Sequence, residues 1–152
     1  LRQELGAKEI ATMVCEELMK RQIECVSPQD SAEAAARRMR DENVGFLPVC
    51  DASKKVLGTI TDRDIAIRLV ASGKPASAQV GDVMTNEVVA CDPKDDITKA
   101  ERLMGENHKS RIMCIDDAGQ LVGVISLSDI AQRDRDHAAQ TLQEISQREA
   151  QA

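Results

Sequence analysis

Two segments of the chain carry residue types at a spacing that could do chemistry. They are Gly58-Thr59-Ile60-Thr61-Asp62-Arg63-Asp64 and Gly123-Val124-Ile125-Ser126-Leu127-Ser128-Asp129. Each has a glycine, a hydroxyl residue three positions later, and an Asp three after that. The spacing sets the hydroxyl at the end of a strand and the acid in the first turn of a helix. A carboxylate there can accept from two adjacent hydroxyls, as in a ribose 2′,3′-diol. A helix start offers free N–H groups to phosphate, and Arg63 and Ser128 are placed to add donors to the same anion. The same spacing also has a purely structural reading. Ser/Thr-x-x-acid is a capping box, in which Thr61 and Ser126 satisfy backbone N–H groups. On the residues alone both readings stand.

The elements that must position these segments follow from an internal repeat. A shift of 65 residues lays Met19 on Met84, Pro28 on Pro93 and Asp30 on Asp95. The register holds without a gap through Ala35/Ala100, Met39/Met104, Asp51/Asp116, Gly58/Gly123, Ile60/Ile125 and Asp64/Asp129. Each copy starts with an apolar stretch (Ile23 to Val26; Val88 to Cys91) that ends near a Pro, as a strand does. A helix with an acidic start follows, at Asp30 or at Asp95-Asp96. Its apolar positions are Ala32, Ala35, Ala36 and Met39 in one copy and Ile97, Ala100, Leu103 and Met104 in the other, at helical spacing. A strand (Phe46 to Cys50; Arg111 to Ile115), a polar turn and a second strand (Val56 to Thr61; Leu121 to Ser126) form a hairpin. A final helix starts near Arg63 or Ser128.

The unit is therefore β-α-β-β-α, and one copy is too short to bury both faces of its sheet. The fold class predicted is α+β: two such repeats packed about a pseudo-twofold axis, with flanking helices at both ends. The boundaries expected are an N-terminal helical extension 1–13, repeat 1 at 14–70, a linker 71–79, repeat 2 at 80–135, and a helical tail 136–152. Gly73 and Pro75 make the linker a break. The tail, with Leu142 and Ile145 as its apolar positions, reads either as a solvated cap or as a dimer contact.

Composition narrows the function classes. The chain has 152 residues with a net charge of −6, from 20 basic and 26 acidic side chains, and a single aromatic residue, Phe46. No basic stripe and no stacking aromatics are present, so a nucleic-acid polymer is not an expected partner. The five cysteines, Cys15, Cys25, Cys50, Cys91 and Cys114, include no CxxC pair. They read as small core residues in a reduced cytoplasm. His108 and His137 are isolated, which leaves no evident metal ligand set and no evident nucleophile–base pair for an enzyme. No apolar run approaches membrane-spanning length, and no signal-peptide pattern opens the chain, so a membrane is not expected as a partner. The first residue is Leu1, which leaves open whether the native N-terminus is complete.

The tandem repeat, the GTITDRD and GVISLSDIA segments and the VMT opening of the second copy resemble paired CBS (cystathionine-β-synthase) domains, the Bateman module, over about residues 14–133. The resemblance implies clefts between the two repeats that bind AMP, ADP, ATP or related adenosyl compounds. It implies a regulatory module that signals through conformational or oligomeric change and is not an enzyme. Residue by residue, Thr61 and Asp64 match the hydroxyl and ribose-binding acid of one cleft, and Ser126 and Asp129 those of the other. Arg63 and Ser128 fall at phosphate-contacting positions, and Arg111 where some members carry a phosphate-binding Arg. Arg21 and Asn86 resemble positions whose backbone meets adenine. Phe46 stands where the second copy has Arg111, and Met113 where the first has Pro48, so the clefts are not equivalent; the Arg111/Ser126/Ser128/Asp129 cleft is the expected phosphate site. The regulatory ligand expected is thus an adenine nucleotide (AMP, ADP or ATP) with no metal required. The expected partners are that ligand, a second copy in a homodimer and a protein target of unknown identity. The alternative is a ligand-free dimerisation module acting as an assembly scaffold.

Overall fold

The computed structural model describes residues 13–132 and 135–150. The expected N-terminal helix lies outside the described residues except for Met13. The chain divides into two compact units whose boundaries cut across the repeats. One is Glu24–Val88; the other joins the segment ending at Ile23 to the chain from Val89 onward.

In the Glu24–Val88 unit, Ser31 caps helix α1 (Ala32–Glu42), its hydroxyl accepting from the Ala34 N–H at 3.0 Å. Asn43 closes that helix at φ 54°, a left-handed position that Asn tolerates better than most residues. Strands β1 (Phe46–Cys50) and β2 (Val56–Thr61) pair antiparallel, with a register shift between Val49 and Cys50. The strand expected over Ile23–Val26 contracts to one parallel bridge, Val26 with Val49. It is held by the Val26 N–H on the Pro48 carbonyl (2.9 Å) and the Cys50 N–H on the Val26 carbonyl (3.0 Å). β2 runs directly into α2, a helical turn at Asp62–Asp64 that continues as a π-helix over Ile65–Val70. After the short α3 (Val80–Val83), Thr85 returns to bridge Thr59. Val26, Ala35, Met39, Val49, Ile60, Leu69, Val80 and Val83 form this unit's core.

In the other unit, β3 (Ala90–Cys91) lies parallel to β4 (Arg111–Ile115), which pairs antiparallel with β5 (Leu121–Ser126). Between β3 and β4 runs α4 (Ile97–Asn107), capped by Asp96 and closed by His108 at φ 53°. β5 leads into α5 (Leu127–Ala131), and the tail helix α6 (Arg135–Ala150) packs on α4 and α5. A 3-10 turn at Cys15–Glu17 joins this unit through the Cys15 and Glu16 N–H groups, each 2.8 Å from the carbonyls of Asp95 and Pro93. Lys20 then bridges Val124. Cys15, Cys91, Ile97, Met104, Ile112, Cys114, Ile125 and Ile130 form the core, so three of the thiols do pack as small apolar side chains.

The tail helix buries Ala138 and Thr141 and leaves Leu142 53% exposed. The His108 ring Nδ1 lies 2.8 Å from the Glu144 carbonyl oxygen. The tail thus caps its own unit, while Leu142 faces solvent. No helix among the described residues is long and apolar enough to cross a membrane.

Candidate functional site

The hairpin register decides what stands beside each hydroxyl. Residues directly opposite on antiparallel strands project to the same face. Phe46 is opposite Thr61, and Arg111 is opposite Ser126. The asymmetry between the copies therefore sits directly beside the hydroxyl–acid pair, an aromatic ring in one unit and an exposed guanidinium in the other.

Both pairs close full capping boxes. The Asp64 N–H donates to Thr61 Oγ1 at 3.1 Å, and the Thr61 N–H donates to Asp64 Oδ2 at 3.0 Å. The Asp129 N–H donates to Ser126 Oγ at 3.2 Å, and the Ser126 N–H donates to Asp129 Oδ2 at 3.0 Å. The structural reading of the spacing is thus realised twice. Each box occupies Oδ2 of its acid, and what remains for chemistry is Oδ1.

The peptide that reaches Oδ1 comes from the opening of the other repeat. Met84 crosses over Gly58, where an added Cβ would meet its Cε at 2.6 Å and would run into the Thr85 carbonyl oxygen. Met19 crosses over Gly123, where a Cβ would lie 2.6 Å from its Sδ and 3.0 Å from the Lys20 carbonyl. The glycine that opens each motif is therefore there to let a second backbone approach β2 or β5. The residue after each Met then faces the acid. The Thr85 hydroxyl donates to Asp64 Oδ1 at 3.1 Å, with Oδ2 at 3.3 Å. The Lys20 ammonium stands 3.6 Å from Asp129 Oδ1.

Asp64 has a further partner. Arg68, one turn on, places Nε 3.9 Å from Oδ1 and donates from a terminal nitrogen to the Met84 carbonyl at 2.8 Å. Asp129 instead gains hydroxyls: Ser126 Oγ–H donates to Oδ2 at 2.7 Å, and Ser126 and Ser128 Oγ are 2.8 Å apart. Since the Ser126 proton is spent on the carboxylate, the Ser128 hydroxyl is the donor between the two serines.

The residues singled out in the sequence fall into two groups. Thr61, Arg63, Asp64 and Asn86 belong to the Glu24–Val88 unit, and Arg21, Arg111, Ser126, Ser128 and Asp129 to the other. Thr61 with Asp64, and Ser126 with Ser128 and Asp129, are in direct contact. Arg111 is brought beside Ser126 by the strand register. Asn86 and Arg21 are exposed and follow the bridging residues Thr85 and Lys20. Arg63 is exposed, and its backbone N–H donates to Asp62 Oδ1 at 2.8 Å. Thr85, Lys20 and Arg68 are additions from the structure. The signal for two of them lay in the repeat, since the same shift superposes Lys20 on Thr85 directly after the paired methionines.

The family model for the CBS domain matches residues 15–71 and again 80–136. This chain belongs to the CBS domain family. Among its CBS relatives is the CBS domain-containing protein YhcV of Bacillus subtilis, 36% identical over 130 residues, covering 84% of this chain and 91% of YhcV. The crystal structure of Hypoxic Response Protein I with two coordinated zinc ions superposes at a TM-score of 0.74 and 29% identity, over 80% of this chain and 98% of that one. The crystal structure of CBSX2 in complex with AMP superposes at 0.68 and 22% identity, over 78% and 93%; at that identity the likeness shows the shared CBS fold.

The zinc-bearing relative corrects one expectation. Isolated histidines and the lack of a CxxC pair were read as no metal required, yet a CBS protein this similar holds two zinc ions. Zinc needs ligands adjacent in space and not in sequence, so sequence spacing was the wrong criterion. Among the described residues, no group of three His, Cys, Asp or Glu side chains is arranged to hold a metal ion.

Proposed function

We propose that this CBS pair is a regulatory module that binds an adenosyl nucleotide of the AMP, ADP or ATP class and passes the change in its conformation to a homodimer partner or a protein target in the cytoplasm. On this reading it catalyses no reaction. The carrying observation is the surround of Asp129. Among the described residues its Oδ1 faces an ammonium 3.6 Å away on a Lys20 side chain that is 70% exposed, a pair of the kind that contributes little and yields to a ribose diol. The Arg111 guanidinium, opposite Ser126, is the donor for a phosphate, joined by the exposed Ser128 hydroxyl when it turns away from Ser126 Oγ. That a solved CBS pair holds AMP supports the ligand class.

Nucleotide binding to the folded state alone raises stability by about 2.7 kcal/mol at a hundredfold excess over Kd, several degrees of Tm for a chain this size. Asp129→Asn is the sharper variant, because its amide oxygen can still accept the Ser126 N–H while the charge is lost. Thermal unfolding with and without AMP, ADP or ATP should show a shift for the wild type and none for Asp129→Asn. No shift for the wild type at millimolar nucleotide contradicts the reading.

A second reading has its own observation: both acids already complete capping boxes, which suffices for an assembly scaffold. Native mass spectrometry of freshly purified protein separates the two. A dimer carrying adenosyl mass supports the sensor, and a ligand-free dimer unmoved by added nucleotide supports the scaffold.

A further inference from the structure

Cys25 and Cys50 stand apart from the other thiols. Cys15, Cys91 and Cys114 are 0%, 4% and 0% exposed, inside a core. Cys25 is only partly buried, while Cys50 behind it is 3% exposed. Their sulfurs are 2.6 Å apart.

Backbone contacts on both sides fix this approach. The bridge between Val26 and Val49 registers the two segments, and the β1–β2 register shift falls at Cys50 itself. Arg38 of α1 donates to the Cys25 carbonyl at 2.9 Å and pairs with Glu24 at 3.3 Å. Cys25 also lies two residues beyond Ile23, where the chain leaves one compact unit for the other. A bond at this point would tie that crossing to the end of β1.

We infer that Cys25 and Cys50 are a modification site, a dithiol that closes reversibly to a disulfide with a peroxide as oxidant. The accessible Cys25 thiolate attacks a peroxide oxygen. The O–O bond breaks, the sulfur becomes a sulfenic acid, and the leaving hydroxide departs as water. The Cys50 sulfur then attacks the sulfenic sulfur, so that the S–S bond forms, the S–O bond breaks, and the Cys50 proton leaves with the hydroxide as a second water. Two thiols are oxidised and one peroxide is reduced to two waters; a small dithiol reverses the step by exchange. The assignment is independent of the nucleotide reading.

The local charges favour Cys25 as the attacking sulfur. The hydrogen bond from Cys50 lowers the Cys25 thiol to about 7, burial opposes this, and Lys54 and Arg38 reinforce it. The same contact pushes the Cys50 thiol up. Native alkylation of Cys25 should therefore accelerate as pH rises through about 7.

The deciding experiment treats the reduced full chain with hydrogen peroxide, blocks the remaining thiols under denaturing conditions, and maps peptides by mass. The expected product is lighter by two hydrogens, keeps three alkylatable thiols of the original five, and yields a Cys25–Cys50 cross-linked peptide that dithiothreitol removes. Cys50→Ser should leave Cys25 as a trappable sulfenic acid, and Cys25→Ser should leave Cys50 unreacted. Should a variant fail to fold, the wild-type map stands by itself. Five free thiols after peroxide, a bond between chains, or a bond among Cys15, Cys91 and Cys114 overturns the assignment.

Discussion

Asp64 and Asp129 sit at the same place in the two repeats, each closing a capping box, yet their outer oxygens meet different chemistry. Asp64 Oδ1 accepts a hydroxyl from Thr85 at 3.1 Å and has Arg68 at 3.9 Å. Among the described residues Asp129 Oδ1 has the exposed Lys20 at 3.6 Å. Phe46 lies opposite one hydroxyl and Arg111 opposite the other. In the first half-site the chain's own groups engage the outer oxygen; in the second the carboxylate stands beside the buried Ser126 hydroxyl, with Ser128, Lys20 and Arg111 exposed around it. Equal folding does not require equal surroundings: a few divergent side chains give the same acid different neighbours in the two repeats.

Substitutions can break or sharpen this contrast. The largest effect belongs to the glycines. Gly58→Ala drives a methyl into the Thr85 carbonyl, a backbone atom that cannot swing away, whereas Gly123→Ala meets chiefly the flexible Met19 side chain. Overpacking of this kind costs about 1–3 kcal/mol. Gly58→Ala should lie at the upper end and Gly123→Ala at the lower, as read from urea midpoints. Equal losses would mean that the Met19 segment is as rigidly held as the Met84 segment.

Next come the bonds to Asp64. Thr85→Val keeps the shape and removes the hydroxyl, which should cost about 1 kcal/mol and free Oδ1. If the closed state of this half-site is due to Thr85, the variant should also gain nucleotide affinity at Asp64. Smallest is Lys20→Met, where loss of an exposed ion pair should change stability by less than about 0.5 kcal/mol. It should leave Asp129 more open to ligand, and a drop in nucleotide affinity would instead make Lys20 a phosphate contact.

Much of this was legible in the sequence. The shift that superposes Asp64 on Asp129 also superposes Gly58 on Gly123 and Met19 on Met84, and these pairs are the parts of each half-site. What the shift could not give was their exchange: Thr85 serves the acid of the first repeat and Lys20 that of the second. Two similar copies read alike whether the opening segment packs on its own hairpin or the other one. The strands expected at 23–26 and 88–91 came out as a single bridge at Val26 and a two-residue strand at Ala90–Cys91, since apolar runs mark burial whether or not a ladder forms. The π-helical continuation at Ile65–Val70 had no sequence signal. The Cys25–Cys50 approach was hidden for the same reason as the metal question: side chains remote in sequence meet through the fold.

The measurement that tests the contrast most directly is isothermal titration of AMP into the wild type, Asp129→Asn and Asp64→Asn, each first shown to unfold cooperatively. The prediction is that Asp129→Asn weakens binding at least tenfold, about 1.4 kcal/mol, while Asp64→Asn stays within about twofold of the wild type, under roughly 0.5 kcal/mol. Equal losses in both variants, or a loss confined to Asp64→Asn, would contradict the assignment of the open half-site to Asp129.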